Sequence, residues 1–103
     1  MQGIYLKLFV SQTARHDGKL LYEWLLEQAH QQGIAGGTAS RAIAGYGRHG
    51  QLHEEHFFEL ADNLPVMVEF MTGEMQVEQL LARLAAEKIS LFYLRHAVEF
   101  AIT

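Results

Sequence analysis

Two glycine-fenced tracts hold the residues of this chain best suited to chemistry: Gly33-Ile34-Ala35-Gly36-Gly37-Thr38 and, seven residues further on, Gly45-Tyr46-Gly47-Arg48. Glycine reaches φ > 0 without strain and lets a ligand or another backbone come close, so such tracts turn sharply and expose amide N–H groups. In Gly45-Tyr46-Gly47-Arg48 such a turn points to a sensing or binding loop rather than to a catalytic centre. The alternative for the same glycines is turn geometry alone. A second constellation follows at once: His49, His53 and His56, with Glu54 and Glu55, offer nitrogen and oxygen ligands for a divalent metal. Their spacing does not impose one. His53-Glu54-Glu55-His56 lacks an i, i+4 histidine pair, and residues three apart in an extended segment point to opposite faces, so solvated loop histidines are the competing reading.

Enzymatic catalysis needs a nucleophile with a base, or paired carboxylates in a cleft, and the sequence presents neither. Ser11, Thr13 and His16 form only a loose polar group, and there is no cysteine. The expectation is a non-enzymatic protein with no catalytic residues and no obligate cofactor. His96, in an apolar alternating run, reads as a hydrogen-bonded structural histidine. Tyr22 and Trp24 read as packing residues.

The elements that position these residues follow from periodicity. Ile4, Leu6, Leu8 and Val10 alternate with Tyr5, Lys7 and Phe9, which predicts a strand. A polar loop from Ser11 to Asp17 follows, with Asp17 placed to cap a helix in which Leu20, Leu21, Trp24, Leu25 and Gln28 recur until Gly33 stops it. Thr38 to Tyr46 predicts a strand, residues 48–55 a polar loop and Phe57 to Leu60 a short extended piece. Asp62-Asn63-Leu64-Pro65 is turn chemistry leading into an alternating strand with Val66, Val68 and Phe70, the proline at its first residue. Thr72 is placed to cap a second helix carrying Val77, Leu80, Leu81, Leu84 and Ala85. Phe92, Leu94, His96, Val98, Phe100 and Ile102 alternate as a last strand to Ile102. The order β-α-β-β-α-β predicts an α+β, ferredoxin-like domain over residues 1–103, an antiparallel sheet with two helices on one face.

Composition limits the partners. Of 103 residues 50% are apolar and 19% charged, which excludes disorder and leaves apolar surface for a partner subunit. The net charge is −4 and the basic residues are scattered, so nucleic acid is not an expected partner. No apolar run approaches the roughly 20 residues of a membrane span, and no targeting pattern opens the chain, which reads as cytoplasmic without membrane insertion. The predicted strands also leave Tyr5, Phe9, Met67 and Met71 on the face away from the helices. That surface is apolar enough to call for cover by further copies of the chain.

The order of elements and the two glycine tracts together resemble the PII signalling superfamily, whose members carry a Gly-Ile-x-Gly-x-Thr stretch and a Gly-Phe-Gly-Arg stretch before a mobile loop. Gly18-Lys19-Leu20-Leu21-Tyr22-Glu23, Leu52-His53 and Leu64-Pro65-Val66-Met67-Val68-Glu69 are more closely similar to the PII-like proteins of domain-of-unknown-function family 190. The resemblance implies a ferredoxin-like protomer in a homotrimer, with ligand sites in clefts between subunits and a signalling role toward an unnamed protein partner. It carries Gly45, Tyr46, Gly47 and Arg48 over as ligand-binding residues for a nucleotide or other small anionic effector. The chain departs from PII in its second loop, only Glu87-Lys88-Ile89-Ser90, in the absence of a late arginine pair, and in one extra residue between Thr38 and Gly45. A metal-binding trimer using His49, His53 and His56, and a structural protein without a small ligand, are the rival readings.

Overall fold

A computed structural model describes residues 1–46 and 64–103. The elements run β1 (Gln2–Ser11), β2 (Arg15–His16), β3 (Lys19–Leu20), α1 (Leu21–Gln31), β4 (Gly37–Arg41), β5 (Pro65–Thr72), α2 (Glu74–Ala86) and β6 (Phe92–Glu99). The strands of the main sheet lie in the order β4-β5-β1-β6, with every neighbouring pair antiparallel. Two helix-bearing crossovers, β1 to β4 and β5 to β6, interleave to give the ferredoxin-like arrangement.

The register explains why this order is stable. Leu6, Leu8 and Val10 of β1 stand opposite Phe70, Val68 and Val66 of β5. All six side chains are buried, under Leu21, Trp24, Leu25 and Ala29 of α1 and Val77, Leu80 and Leu84 of α2. A Cβ on Gly37 would stand 2.5 Å from the Phe70 ring and 3.1 Å from Leu26. The missing side chain is therefore what lets β4 close against this layer.

Both helices end in the same way. After α1, Gly33 at φ 90 donates to the His30 carbonyl and Ile34 to that of Ala29; after α2, Lys88 at φ 61 donates to Ala85 and Ile89 to Leu84. These are paired Schellman closures. The helix starts differ from expectation. Neither has a side-chain cap: Leu20 and Gly73 occupy the cap positions. Thr72 instead lies buried in β5 opposite Ile4. Asp17 stands in a hairpin turn with Gly18, both at positive φ, which joins β2 to β3. Asp-Gly between two short extended pieces is a strong hairpin signal, and it was the local cue for a hairpin where a loop was expected.

Two strands are shorter than their alternation suggests. β4 stops at Arg41, opposite Val66, because β5 begins at Pro65; one further bond joins the Ala42 N–H to the Pro65 carbonyl, and Ile43 is 89% exposed. β6 stops at Glu99 because its partner β1 begins at Gln2. Beyond it, the Met1 ammonium and the Phe100 N–H exchange bonds with each other's carbonyls at 2.8 and 2.9 Å. The polar loop at 48–55 and the extended piece at 57–60 lie outside the described residues. Among those described, no helix is long and apolar enough to cross a membrane.

Candidate functional site

The loop leaving β4 is built by the end of a ladder. Past Ala42 the backbone no longer has β5 to pair with, and Gly45 takes φ 153, a conformation that side-chain-bearing residues avoid. Tyr46 follows in an isolated bridge with 71% of its surface exposed. Gly47 and Arg48, and the candidate metal ligands His49, His53 and His56 with Glu54 and Glu55, lie outside the described residues. Register fixes where the loop emerges. Arg41 pairs with Val66, Pro65 with Ser11, and Phe9 with Phe92, so the exit of β4, the end of β1 and the entry of β6 share one end of the sheet. The α2–β6 loop is at that same end, beside a cleft of about 540 Å³ lined by Leu84, Lys88, Ile89, Leu91 and Tyr93. It is at the opposite edge, however. Three strand spacings separate β4 from β6, about 14 Å.

The uncovered sheet face carries the second set of features. Tyr5, Lys7 and Phe9 stand opposite Met71, Glu69 and Met67 on one side and His96, Leu94 and Phe92 on the other. Tyr5, Phe9 and Met67 are half-buried, whereas Met71 is 53% exposed and Phe92 and Leu94 are exposed. The rings pair across strands, Tyr5 with His96 at 5.2 Å and Phe9 with Phe92 at 5.4 Å. Lys7 places its ammonium 5.4 Å from the centre of the Phe9 ring. The Tyr5 hydroxyl donates to a Glu69 carboxylate oxygen. That bond, with desolvation and the Glu69 charge adding to it, pushes the phenol from 10.0 up to about 12. His96 is exposed rather than enclosed; its Nδ1 stands 3.3 Å from the Ala97 carbonyl oxygen.

The family model for domain-of-unknown-function family 190, described as "Uncharacterized ACR", matches residues 3–99. The chain belongs to this family. A UPF0166 protein of Aquifex aeolicus is 38% identical over 76 residues, 74% of this chain and 72% of that protein. One of Methanocaldococcus jannaschii is 32% identical over 79 residues, 77% and 72% of the two. Among solved structures, CPII of Thiomonas intermedia K12, a nitrogen regulatory PII-like protein bound to ADP, AMP and bicarbonate, superposes with a TM-score of 0.68. The match covers 98% of this chain and 97% of that one at 17% identity. At that identity the likeness is one of fold, and the fold is PII-like.

One polar group of this family-190 protein escaped grouping by sequence. Ser11 Oγ and Thr13 Oγ1 are 3.2 Å apart, paired with each other. His16, carried round by the hairpin, turns instead to Glu87, the C-cap residue of α2, with Nε2 2.9 Å from Oε1. Arg83 Nε donates to the other Glu87 oxygen at 3.1 Å. The His16 bond first, and Arg83 after it, hold the Glu87 carboxyl below the usual carboxylate range against its partial desolvation. The His16 ring meets Trp24 edge-on at 4.6 Å, which gives Trp24 a positioning role beyond filling the core. Residues 16 and 87 are 71 apart in sequence, so only the hairpin signal at Asp17-Gly18 pointed to a turned-back chain here.

Proposed function

We propose that this protein is a non-enzymatic PII-like sensing protein, a homotrimer that binds a nucleotide or another small anionic ligand in clefts between subunits. Gly45, Tyr46, Gly47 and Arg48 supply the amides and guanidinium that meet the anion. The observation that carries the reading is the placement of the two candidate loops: same end of the sheet, opposite edges. Within one chain they are too far apart to share a small ligand. Side by side in a ring, the β4 edge of one subunit approaches the β6 edge of the next, and the Gly45 loop meets the cleft beside Lys88. The half-buried open face supports the same assembly, since covering Met71, Phe92 and Leu94 removes apolar surface from water at roughly 25 cal/mol per Å². A bound adenine nucleotide and bicarbonate in the PII-like neighbour from Thiomonas support an anionic ligand.

The test combines mass and melting. Light scattering on the purified chain is expected to give three times the protomer mass. A thermal-shift panel of ADP, AMP, cyclic dinucleotides and bicarbonate is expected to yield at least one stabilising ligand, worth about 2.7 kcal/mol at 100 times its dissociation constant. Arg48→Ala removes that shift and leaves the ligand-free melting temperature in place. A monomer in light scattering together with flat melting curves overturns the proposal.

A further inference from the structure

The geometry points to a divalent-metal site at His16, Asp17 and Glu87, made of residues other than those of the Gly45 tract and the candidate histidines His49, His53 and His56. We infer that a first-row divalent ion of the zinc type binds there through one imidazole nitrogen and two carboxylate oxygens. Each residue offers a donor atom, and the three donors lie within 4.8 Å of one another. Nε2 of His16 is 2.9 Å from Glu87 Oε1 and 3.8 Å from Asp17 Oδ2. Metal–nitrogen and metal–oxygen bonds of about 2.0–2.2 Å put adjacent ligands about 3.0–3.5 Å apart, so these separations bracket what one ion demands. Small movements of an exposed aspartate close the difference.

The surroundings are arranged to hold ligands rather than to compete with the ion. The edge contact with Trp24 sets the plane of the His16 ring. Arg83 bonds only Oε2 of Glu87, leaving Oε1 facing His16 and orienting the carboxylate as an outer partner of a metal ligand does. The guanidinium itself lies 5.8 Å from the Trp24 ring centre. Of the other cations close in sequence, Lys19 bonds Glu27 and Arg15 the Gly18 carbonyl at 2.8 Å, while Lys88, next to Glu87, lines the adjoining cleft. Two carboxylates against one guanidinium leave a net negative charge for a cation. The ion takes the Nε2 lone pair of the neutral imidazole, so in the bound form the ring proton sits on Nδ1 and Nε2 bonds the ion in place of Glu87. Three protein ligands leave a coordination position open to water or to a ligand's anionic group. The ion ties the hairpin to the C-cap of α2, one residue from Lys88 and its cleft.

Isothermal titration of the tag-free full chain with zinc chloride in chelator-treated buffer tests this. The expected result is one ion per chain. Asp17→Asn keeps a residue suited to positive φ on an exposed turn, so it folds normally, and it weakens binding about tenfold or more. His16→Gln abolishes it. The triple variant His49→Gln, His53→Gln, His56→Gln retains it, and cobalt in place of zinc gives a d–d spectrum in the wild type that Asp17→Asn alters. No heat from the wild type overturns the inference, as does binding that survives Asp17→Asn and His16→Gln but vanishes in the triple variant. Neither result bears on the anion site, which the nucleotide panel reads in metal-free buffer.

Discussion

On the helix-covered side of the sheet, Leu6, Leu8 and Val10 meet Phe70, Val68 and Val66, and water is excluded. One residue along each strand, Tyr5, Lys7 and Phe9 meet Met71, Glu69 and Met67 under partial exposure. The two faces share every backbone hydrogen bond and the same register, so the difference lies wholly in what fills them. Branched aliphatic side chains and the Phe70 ring, closed over by two helices, make a fully covered layer. Aromatic rings, thioethers and one Tyr–Glu bond make a surface that is settled in water only in part and has apolar area left to give to a neighbour.

The largest expected effect separates these faces by truncation. Leu8→Ala leaves a hole in the covered layer and is expected to cost about 2–5 kcal/mol in a denaturant titration. Met67→Glu, on the other face, is expected to leave the protomer folded and to lower the mass seen by light scattering at micromolar concentration, because a charge placed in an apolar contact is expensive to bury. If Met67→Glu unfolds the chain as thoroughly as Leu8→Ala does, the two faces are equally parts of one core and the contrast fails.

A smaller effect tests the polar bond on the open face. The folded protein holds the Tyr5 phenol up at about 12 from 10.0, because the neutral hydroxyl donates to Glu69. A group whose pKa is raised on folding contributes its stability in full below its unfolded value and loses it as the pH climbs to the folded one. That window is pH 10 to about 12. Tyr5→Phe is expected to flatten the loss of stability across this window. In a near-ultraviolet titration, the phenol step near pH 12 should disappear. If Tyr5→Phe instead removes a phenol that ionises near pH 10 and leaves the late step in place, Tyr5 does not donate to Glu69.

Much of this was legible in the sequence, for a physical reason that also marks its limit. Alternation placed Leu6, Leu8, Val66 and Val68 on one face and Tyr5, Phe9 and Met67 on the other, because a period of two survives whatever the strand pairs with. Helical spacing in Val77, Leu80 and Leu84 was equally plain. Strand ends were not legible: Arg41 and Glu99 are last because β5 and β1 begin where they do, and a strand's own residues do not record the length of its partner. Thr72 has the side chain of a cap, yet the ladder to Ile4 claims its backbone first. Gly45 and Tyr46, read from alternation as the end of a strand, instead stand beyond the last rung of the β4–β5 ladder. His16 meeting Glu87 depends on how the hairpin packs on α2, which no local spacing encodes.

The smallest effect lies on the covered side, where two identical helix closures differ in one residue. Gly33 takes φ 90 with no Cβ to strain, whereas Lys88 takes φ 61 in the same motif. A side-chain-bearing residue in the left-handed region costs about 1–2 kcal/mol, and glycine gives part of that back through the greater freedom of the unfolded chain. Lys88→Gly is therefore expected to stabilise the protein by about 0.5–1 kcal/mol by thermal denaturation, and Gly33→Ala to destabilise it by a similar amount. Strain that persists where glycine would relieve it is commonest at binding positions. Lys88 lies against the cleft that, in the proposed trimer, faces the Gly45 loop of the next subunit. A variant that gains stability and loses the ligand-dependent shift in the nucleotide panel would assign the lysine ammonium to the anion. One that gains stability and keeps the shift would leave Lys88 a strained closure and confine the anion's partners to the Gly45 loop.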